Sequence, residues 1–291
     1  MRIRPKHRKL GNLSLWSGIF LIVGLTADPL GLVSVGTPDG AQSVSSDENI
    51  STQARDQEAS GESSAFRRVK NSAFSVGERL EFEIAYGVIK AGTATMSVAD
   101  TQWVNGRPCY HILTTAKSNE FFDSLYKVRD TVESYIDIEG LFTWRFEKRL
   151  REGKYHADRF EEYDQRRNLV YTGKDTISIP PYAQDILSSF YFARTVPLKI
   201  GKSFGIDNFA DGKVYPLKIV VHGKDRVKVP AGRFDCIVVE PVLEGEGLFN
   251  QNGRMAIWLT NDERRIPVLM KSKVLVGSIE ARLMSIQTGV K

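Results

Sequence analysis

The chain has 291 residues, with 40 Lys and Arg against 35 Asp and Glu and only two cysteines. The basic surplus is unevenly spread, and its first block belongs to an export segment, so nucleic acid is excluded as the expected partner. No cysteine lies near that segment, which excludes a lipid-anchored cysteine of the bacterial kind.

Residues 1–10 carry Arg2, Arg4, Lys6, Arg8 and Lys9 and no acid, and an apolar run follows from Leu13 to Leu25. A basic stretch followed by a short apolar one is the layout of a secretory signal. The run is short of the roughly 20 apolar residues of a membrane span, although residues 29–35 extend it weakly. Residues 1–35 therefore read as a signal peptide, with small-residue sites near Ala27 and Gly36, or as an N-terminal membrane anchor. Residues 36–71 read as a Ser- and acid-rich tether that cannot bury enough apolar surface to offset its ordering entropy. Residues 72–291 are long enough for one β-rich domain. The expected location is the periplasm, or the periplasmic side of a membrane.

Within the domain, ERLEFEIAY (78–86) puts Leu80, Phe82 and Ile84 on one face and Glu81 and Glu83 on the other, the alternation of a half-buried strand. GVIKAGTATMSVAD (87–100) follows, with Ala94, Met96 and Val98 sharing a face and Gly92 marking a bend or bulge. PCYHILTTAKS, KVRDTVESYIDIE, LFTWRFEKRLRE and GKYHADRFEEYD continue as long strands separated by turns, the spacing of a meander. NEFFDSLYKV (119–128) interrupts them. Its Phe121, Phe122, Leu125 and Tyr126 have helical spacing, either as a core staple or as an exposed apolar tip. KVYPLKIVVHG, DRVKVPAG, RFDCIVVEPVL, GRMAIWLT, IPVLMKSKVLVG and SIEARLMSI read as further strands. About a dozen antiparallel strands curl or close rather than lie flat. The fold class is thus mainly β: a large curved antiparallel sheet, half-barrel or open barrel.

One stretch breaks the pattern. QDILSSFYFARTVP (184–197) has a helical period, preceded by Pro180 and Pro181 and ended by Pro197. Ile186, Leu187, Phe190, Tyr191 and Ala193 fall on one arc; Asp185, Ser188 and Ser189 fall on the other, with Phe192 among them. A lone apolar helix must bury its stripe, and a curled sheet offers its concave side. The helix either completes the core or lines a hydrophobic cavity. Ile186, Leu187, Phe190 and Tyr191, with Met96 and Trp258, are the candidate ligand-binding residues.

The tests for chemistry are negative. GKSFG (201–205) has the G-x-S-x-G pattern without the strand and helix of a nucleophile elbow, and SLYK (124–127) lacks the companion motifs of a Ser–Lys hydrolase. GKS at 201–203 has Val196 where a P-loop needs glycine. His111, His156 and His222 are isolated, so no metal site and no cofactor are expected. Glu161 and Glu162 point to opposite faces of a strand, as do Asp130 and Glu133, and read as solvent charge. Cys109 and Cys236 are either a disulfide pair in an oxidising compartment or two buried thiols. The basic blocks 148–154, 165–167 and 224–228 are solvated strand faces or a surface drawn to an anionic envelope.

GERLEFEIAYGVIKAGTATMSV, SNEFFDSLYKVRDTVESYID, QDILSSFYFAR, VPAGRFDCIVVEP and IWLTNDERRIPVLMKSKVLVGSIEARL occur in that order. Together, over residues 72–288, they resemble the domain of unknown function 3108 family of exported β-rich bacterial proteins. The resemblance implies export and a β-rich domain and carries over no catalytic residue. The IWLT-NDERR-IPVLMKSK hairpin is also similar, at the level of shape, to hairpins of the LolA-like lipoprotein-carrier half-barrels, which wrap helices and hold acyl chains. The leading expectation is a non-enzymatic envelope protein binding an apolar or acyl ligand on its concave side. A structural or interaction module with a filled core, meeting envelope proteins or an anionic membrane surface, is the second. A hydrolase with a site built from distant residues is the third.

Overall fold

The computed structural model describes residues 66–243, 255–273 and 277–290. The export segment and the tether up to residue 65 lie outside these residues.

Fourteen strands of the described residues form one antiparallel sheet. The first eight are β1 (Arg79–Tyr86), β2 (Ile89–Val104), β3 (Arg107–Ser118), β4 (Arg129–Asp137), β5 (Thr143–Glu152), β6 (Tyr155–Asp164), β7 (Leu169–Tyr171) and β8 (Thr176–Ser178). The remaining six are β9 (Ser203–Ala210), β10 (Lys213–Val229), β11 (Gly232–Leu243), β12 (Met255–Thr260), β13 (Pro267–Lys273) and β14 (Ser278–Gln287). A four-residue helix, α1 (Glu120–Asp123), sits between β3 and β4, and α2 (Ile186–Thr195) joins the edge strands β8 and β9. The order is β8-β7-β6-β5-β4-β3-β2-β1-β14-β13-β12-β11-β10-β9. Two meanders therefore meet at the pairing of β1 with β14, the first and last strands in chain order and central in the sheet.

Alternation sets the faces. Leu80, Phe82 and Ile84 of β1 sit in register with Ile286, Leu283 and Ala281 of β14, and with Met96, Ala94 and Gly92 of β2. The register of β1 and β2 slips between Ile84 and Ala85, next to Gly92. A Cβ at Gly92 would stand 2.2 Å from the Lys117 carbonyl oxygen, so close backbone approach fixes the glycine there. Further register shifts at Val98/Asp100 and Val221/Gly223 interrupt the long strands β2 and β10, and such bulges bend a strand and raise its twist. The sheet curls until its far strands face each other. Tyr163 of β6 and Phe209 of β9 meet edge to face with centroids 6.0 Å apart, and Gln184 bridges to Asn208. The sheet stays open rather than closing into a barrel.

The sequence reading differs at three places. DRVKVPAG is not a separate strand: its residues 225–229 are the end of β10, and Gly232 already opens β11. SFGIDNFA, which is not among the strands expected from the sequence, is the edge strand β9. Phe66 and Arg67, assigned to the tether by composition, pack on the sheet. Phe66 lies 5.2 Å from the Phe142 ring and 5.7 Å from Trp144. Arg67 Nε donates to the Gly140 carbonyl at 2.8 Å, and its guanidinium stacks over Tyr182 and Phe192.

Candidate functional site

The helix α2 lies across one end of the curl. Its N-cap, Asp185, accepts from the Leu187 and Ser188 amides at 2.7 and 3.0 Å. The second carboxylate oxygen accepts from Ser134 Oγ at 2.6 Å and Thr143 Oγ1 at 2.7 Å, at the end of β4 and the start of β5. Burial pushes the Asp185 carboxyl up, against hydrogen bonds that favour its charge. At the other terminus Arg194, fully buried, pairs with Glu78 through two bonds of 2.7 and 2.8 Å. It also donates to the carbonyls of Ala73 and Arg264 and stands over the Phe74 and Tyr191 rings. Burial works against this guanidinium, yet Glu78 holds its pKa above the usual value. Glu78 precedes β1 and Arg264 lies in the β12–β13 turn, both at the same end of the sheet as Asp185. The helix is a plug tied at both termini.

Its faces are not those of an amphipathic helix. Leu187 and Tyr191 are buried, but so are Ser188 and Ser189 of the supposed polar arc. Ser188 Oγ pairs with Thr143 Oγ1 at 2.7 Å, and Ser189 Oγ accepts from Asn208 at 2.9 Å. The apolar Ile186, Phe190 and Phe192 are only partly buried. The sheet supplies polar partners to the serines, so the helix is buried on more than one face.

All six predicted ligand residues belong to or pack against one apolar cluster, but they reach it from different sides. Met96 is buried on the concave side in the same apolar cluster as Leu187 and Tyr191, with Ile186 and Phe190 packed against it. Trp258 alternates with the buried Met255, Ile257 and Leu259 of β12, so it faces the other way. Its indole N–H donates to Asp225 at 2.9 Å. Of the two readings of the cysteines, the structure has the buried thiols and not the disulfide: Cys109 and Cys236 are free and buried. They lie on β3 and β11, six places apart in the sheet order, and in separate hydrophobic clusters. Burial pushes their thiols up to about 12 and about 11.

Toward the other end, the concave side carries acids that alternation alone had assigned to solvent. Asp130, Lys148, Glu152 and Glu161 are buried on β4, β5 and β6. Asp130 accepts from the Arg151 amide at 2.8 Å and Glu161 from the Tyr163 hydroxyl at 3.2 Å. Glu152 accepts from the Tyr126 hydroxyl at 3.4 Å. Thr114 Oγ1, Asp130 Oδ2 and Glu152 Oε1 are buried and have no partner among the described residues. Burial pushes Asp130 up to about 6, Glu161 to about 7 and Glu152 to about 8, the last helped by the charge of Asp130. These groups hold and release protons near neutral pH. Their burial was not legible in the sequence, because it depends on how far the sheet curls.

The described residues contain no group of three or more His, Cys, Asp or Glu placed to hold a metal ion. None of their helices is long and apolar enough to cross a membrane. The architecture defines a class: an open, β-barrel-like sheet with a helix across one end. The chain belongs to the DUF3108 family of proteins of unknown function, whose pattern matches residues 81–284. Among solved structures it is similar to a β-barrel-like protein of domain of unknown function DUF1849 from Brucella abortus. That likeness has 11% identity and a TM-score of 0.53, covering 75% of this chain and 100% of that one, and it concerns the fold alone. A candidate lipoprotein from Parabacteroides distasonis matches at 10% identity and a TM-score of 0.34, covering 76% of this chain and 97% of that one. A candidate exported protein with a YmcC-like fold from Bacteroides fragilis matches at 10% identity and a TM-score of 0.28, covering 77% and 100%. The last two are too distant to bear on the fold. No curated protein matches the chain in sequence.

Proposed function

We propose that this is an exported protein of the bacterial cell envelope that acts by binding through its outer surface, with its concave side a filled core. The observation that carries this reading is the helix. Leu187 and Tyr191 belong to one buried cluster with Met96 and Phe82, and both helix termini are tied by buried polar groups. Such a helix completes the interior instead of bordering an empty one. The basic start and the apolar run from Leu13 to Leu25 support export.

A second reading has one observation in its favour. Ile186 and Phe190 are only partly buried, and an apolar or acyl ligand on the concave side would meet them first. Native mass spectrometry of the protein purified from a periplasm decides between the two. The filled-core reading expects the mass of the polypeptide alone, unchanged by added fatty acid. A discrete adduct of lipid mass, lost on denaturation, would overturn it in favour of the ligand.

A further inference from the structure

The end of the sheet opposite the helix carries an apolar rim. Val88 is 98% exposed and Ile89 50%, in and after the β1–β2 turn; Phe121 is 66% and Leu125 70% exposed, in and just after α1. Single exposed apolar residues are ordinary on a protein surface. These four are neighbours. The Asn119 amide donates to the Ala91 carbonyl at 2.9 Å, and the Asn119 side chain donates to the Lys90 carbonyl at 2.7 Å. These two bonds fix α1 beside the β1–β2 hairpin. On the other side, the Gly153 amide donates to the Lys127 carbonyl at 2.7 Å, joining the α1 loop to the β5–β6 turn. Three connections thus form one contiguous edge.

Among the described residues, the charges around this edge lean basic. Lys90 is paired with Glu83 at 3.0 Å, and Arg129 is paired with Asp123. Lys117, Lys127 and Lys154 are exposed and have no ion-pair partner among the described residues, against the single exposed acid Glu120 of α1. Aliphatic and aromatic tips flanked by exposed lysines have the chemistry of a surface that enters the headgroup layer of an anionic bilayer. The apolar tips bury at the acyl boundary, and the lysines meet lipid phosphates.

We propose that this rim, Val88, Ile89, Phe121 and Leu125 with Lys117, Lys127 and Lys154, docks the protein on an anionic lipid surface. The proposal rests on the reading that the protein acts through its outer surface, and it names the partner. The described chain begins at the plugged end, where Phe66 packs on Trp144. The segment 36–65 ahead of it has a contour of about 100 Å if extended, so its length does not keep the rim from a membrane.

The test uses the full chain with an environment-sensitive fluorophore on one introduced cysteine. Cys109 and Cys236 are buried, so labelling is selective. Leu125→Cys places the probe in the rim. Trp103→Cys, at a residue 74% exposed near the β2–β3 turn, places it at the opposite end as the control. With vesicles of phosphatidylglycerol and phosphatidylethanolamine, the probe at 125 is expected to shift to the blue and the probe at 103 to stay unchanged. Combining Lys117→Gln, Lys127→Gln and Lys154→Gln should raise the lipid concentration for half the shift by about 100-fold. Equal shifts at both positions, no shift at 125, or a shift indifferent to the lysines would overturn the proposal. So would a shift at 125 that grows with protein concentration in the absence of vesicles, which would make a second copy of the chain the occupant. None of these outcomes touches the filled core, which the mass measurement tests separately.

Discussion

Replacing Arg194 by Met tests whether the helix is fixed in place. The guanidinium is fully buried and makes two bonds to the Glu78 carboxylate, at 2.7 and 2.8 Å, and others to the Ala73 and Arg264 carbonyls at 3.2 and 3.1 Å. Methionine fills much of the stem's volume and supplies none of these donors. Glu78 is then a buried carboxylate without its counter-charge, and two carbonyls lose their donor. Removing one partner of a buried ion pair costs about 3–5 kcal/mol. For a folded unit of this size, each kcal/mol lowers Tm by about 2–4 °C. A fall of about 10 °C is therefore expected in thermal unfolding followed by circular dichroism at neutral pH. Glu78→Leu should cost a comparable amount, because it strands the guanidinium instead. The double variant should be more stable than the sum of the two losses implies, since neither charge is then left alone. A single variant within about 2 °C of the parent, or a double variant with simply additive losses, would refute the view that this pair ties the helix to the sheet.

Two further outcomes follow from the same geometry. Leu187→Ala, deep in the cluster, should lower stability by about 2–5 kcal/mol in a denaturant titration. Phe121→Ala, on an exposed tip, should stay within about 0.5 kcal/mol; comparable losses at both sites would contradict the filled interior. Stability should also depend on pH in a particular direction. Asp130, Glu161 and Glu152 are pushed up to about 6, 7 and 8, above the roughly 4 of carboxylates in an unfolded chain. The folded state therefore binds more protons across that window. Their contribution is full below about pH 4 and is lost as pH rises through 6 to 8. Tm measured at pH 5.5 should exceed Tm at pH 8.5, and Glu152→Gln should flatten the upper part of that decline. A parent protein whose Tm rises between those two values would show that the inner acids do not dominate.

Much of the fold was legible because the strands are long and their alternation is strict. In β1 the order Leu80, Phe82, Ile84 needs no partner to be read, and Gly92 announced the β1–β2 irregularity that its crowding by Lys117 now explains. What failed was whatever depends on a partner distant in sequence. Ser188 and Ser189 look polar until Thr143 and Asn208 are brought to them. Asp130 and Glu161 look like surface charge until the sheet curls over them. Trp258 looks like a wall of the cavity until its register with Val238 and Leu269 puts it on the outer face. Arg194 carried no signal at all, because its partner Glu78 lies 116 positions away.

These failures share a cause that bears on function. A period of two or 3.6 residues says which side chains share a face, and in a sheet this large both faces gain cover from elsewhere in the chain. Helix α2 covers the concave face, while Asp225 receives the Trp258 indole on the convex one. The residues left uncovered are then more informative than the pattern that produced them. Val88, Ile89, Phe121 and Leu125 remain exposed although the fold buried serines, an arginine and several carboxylates elsewhere. A chain that supplies polar partners for an interior Arg194 has the means to cover four apolar tips. That it leaves them together at one end, beside three lysines that make no ion pair among the described residues, is the strongest reason to look for this protein's function there.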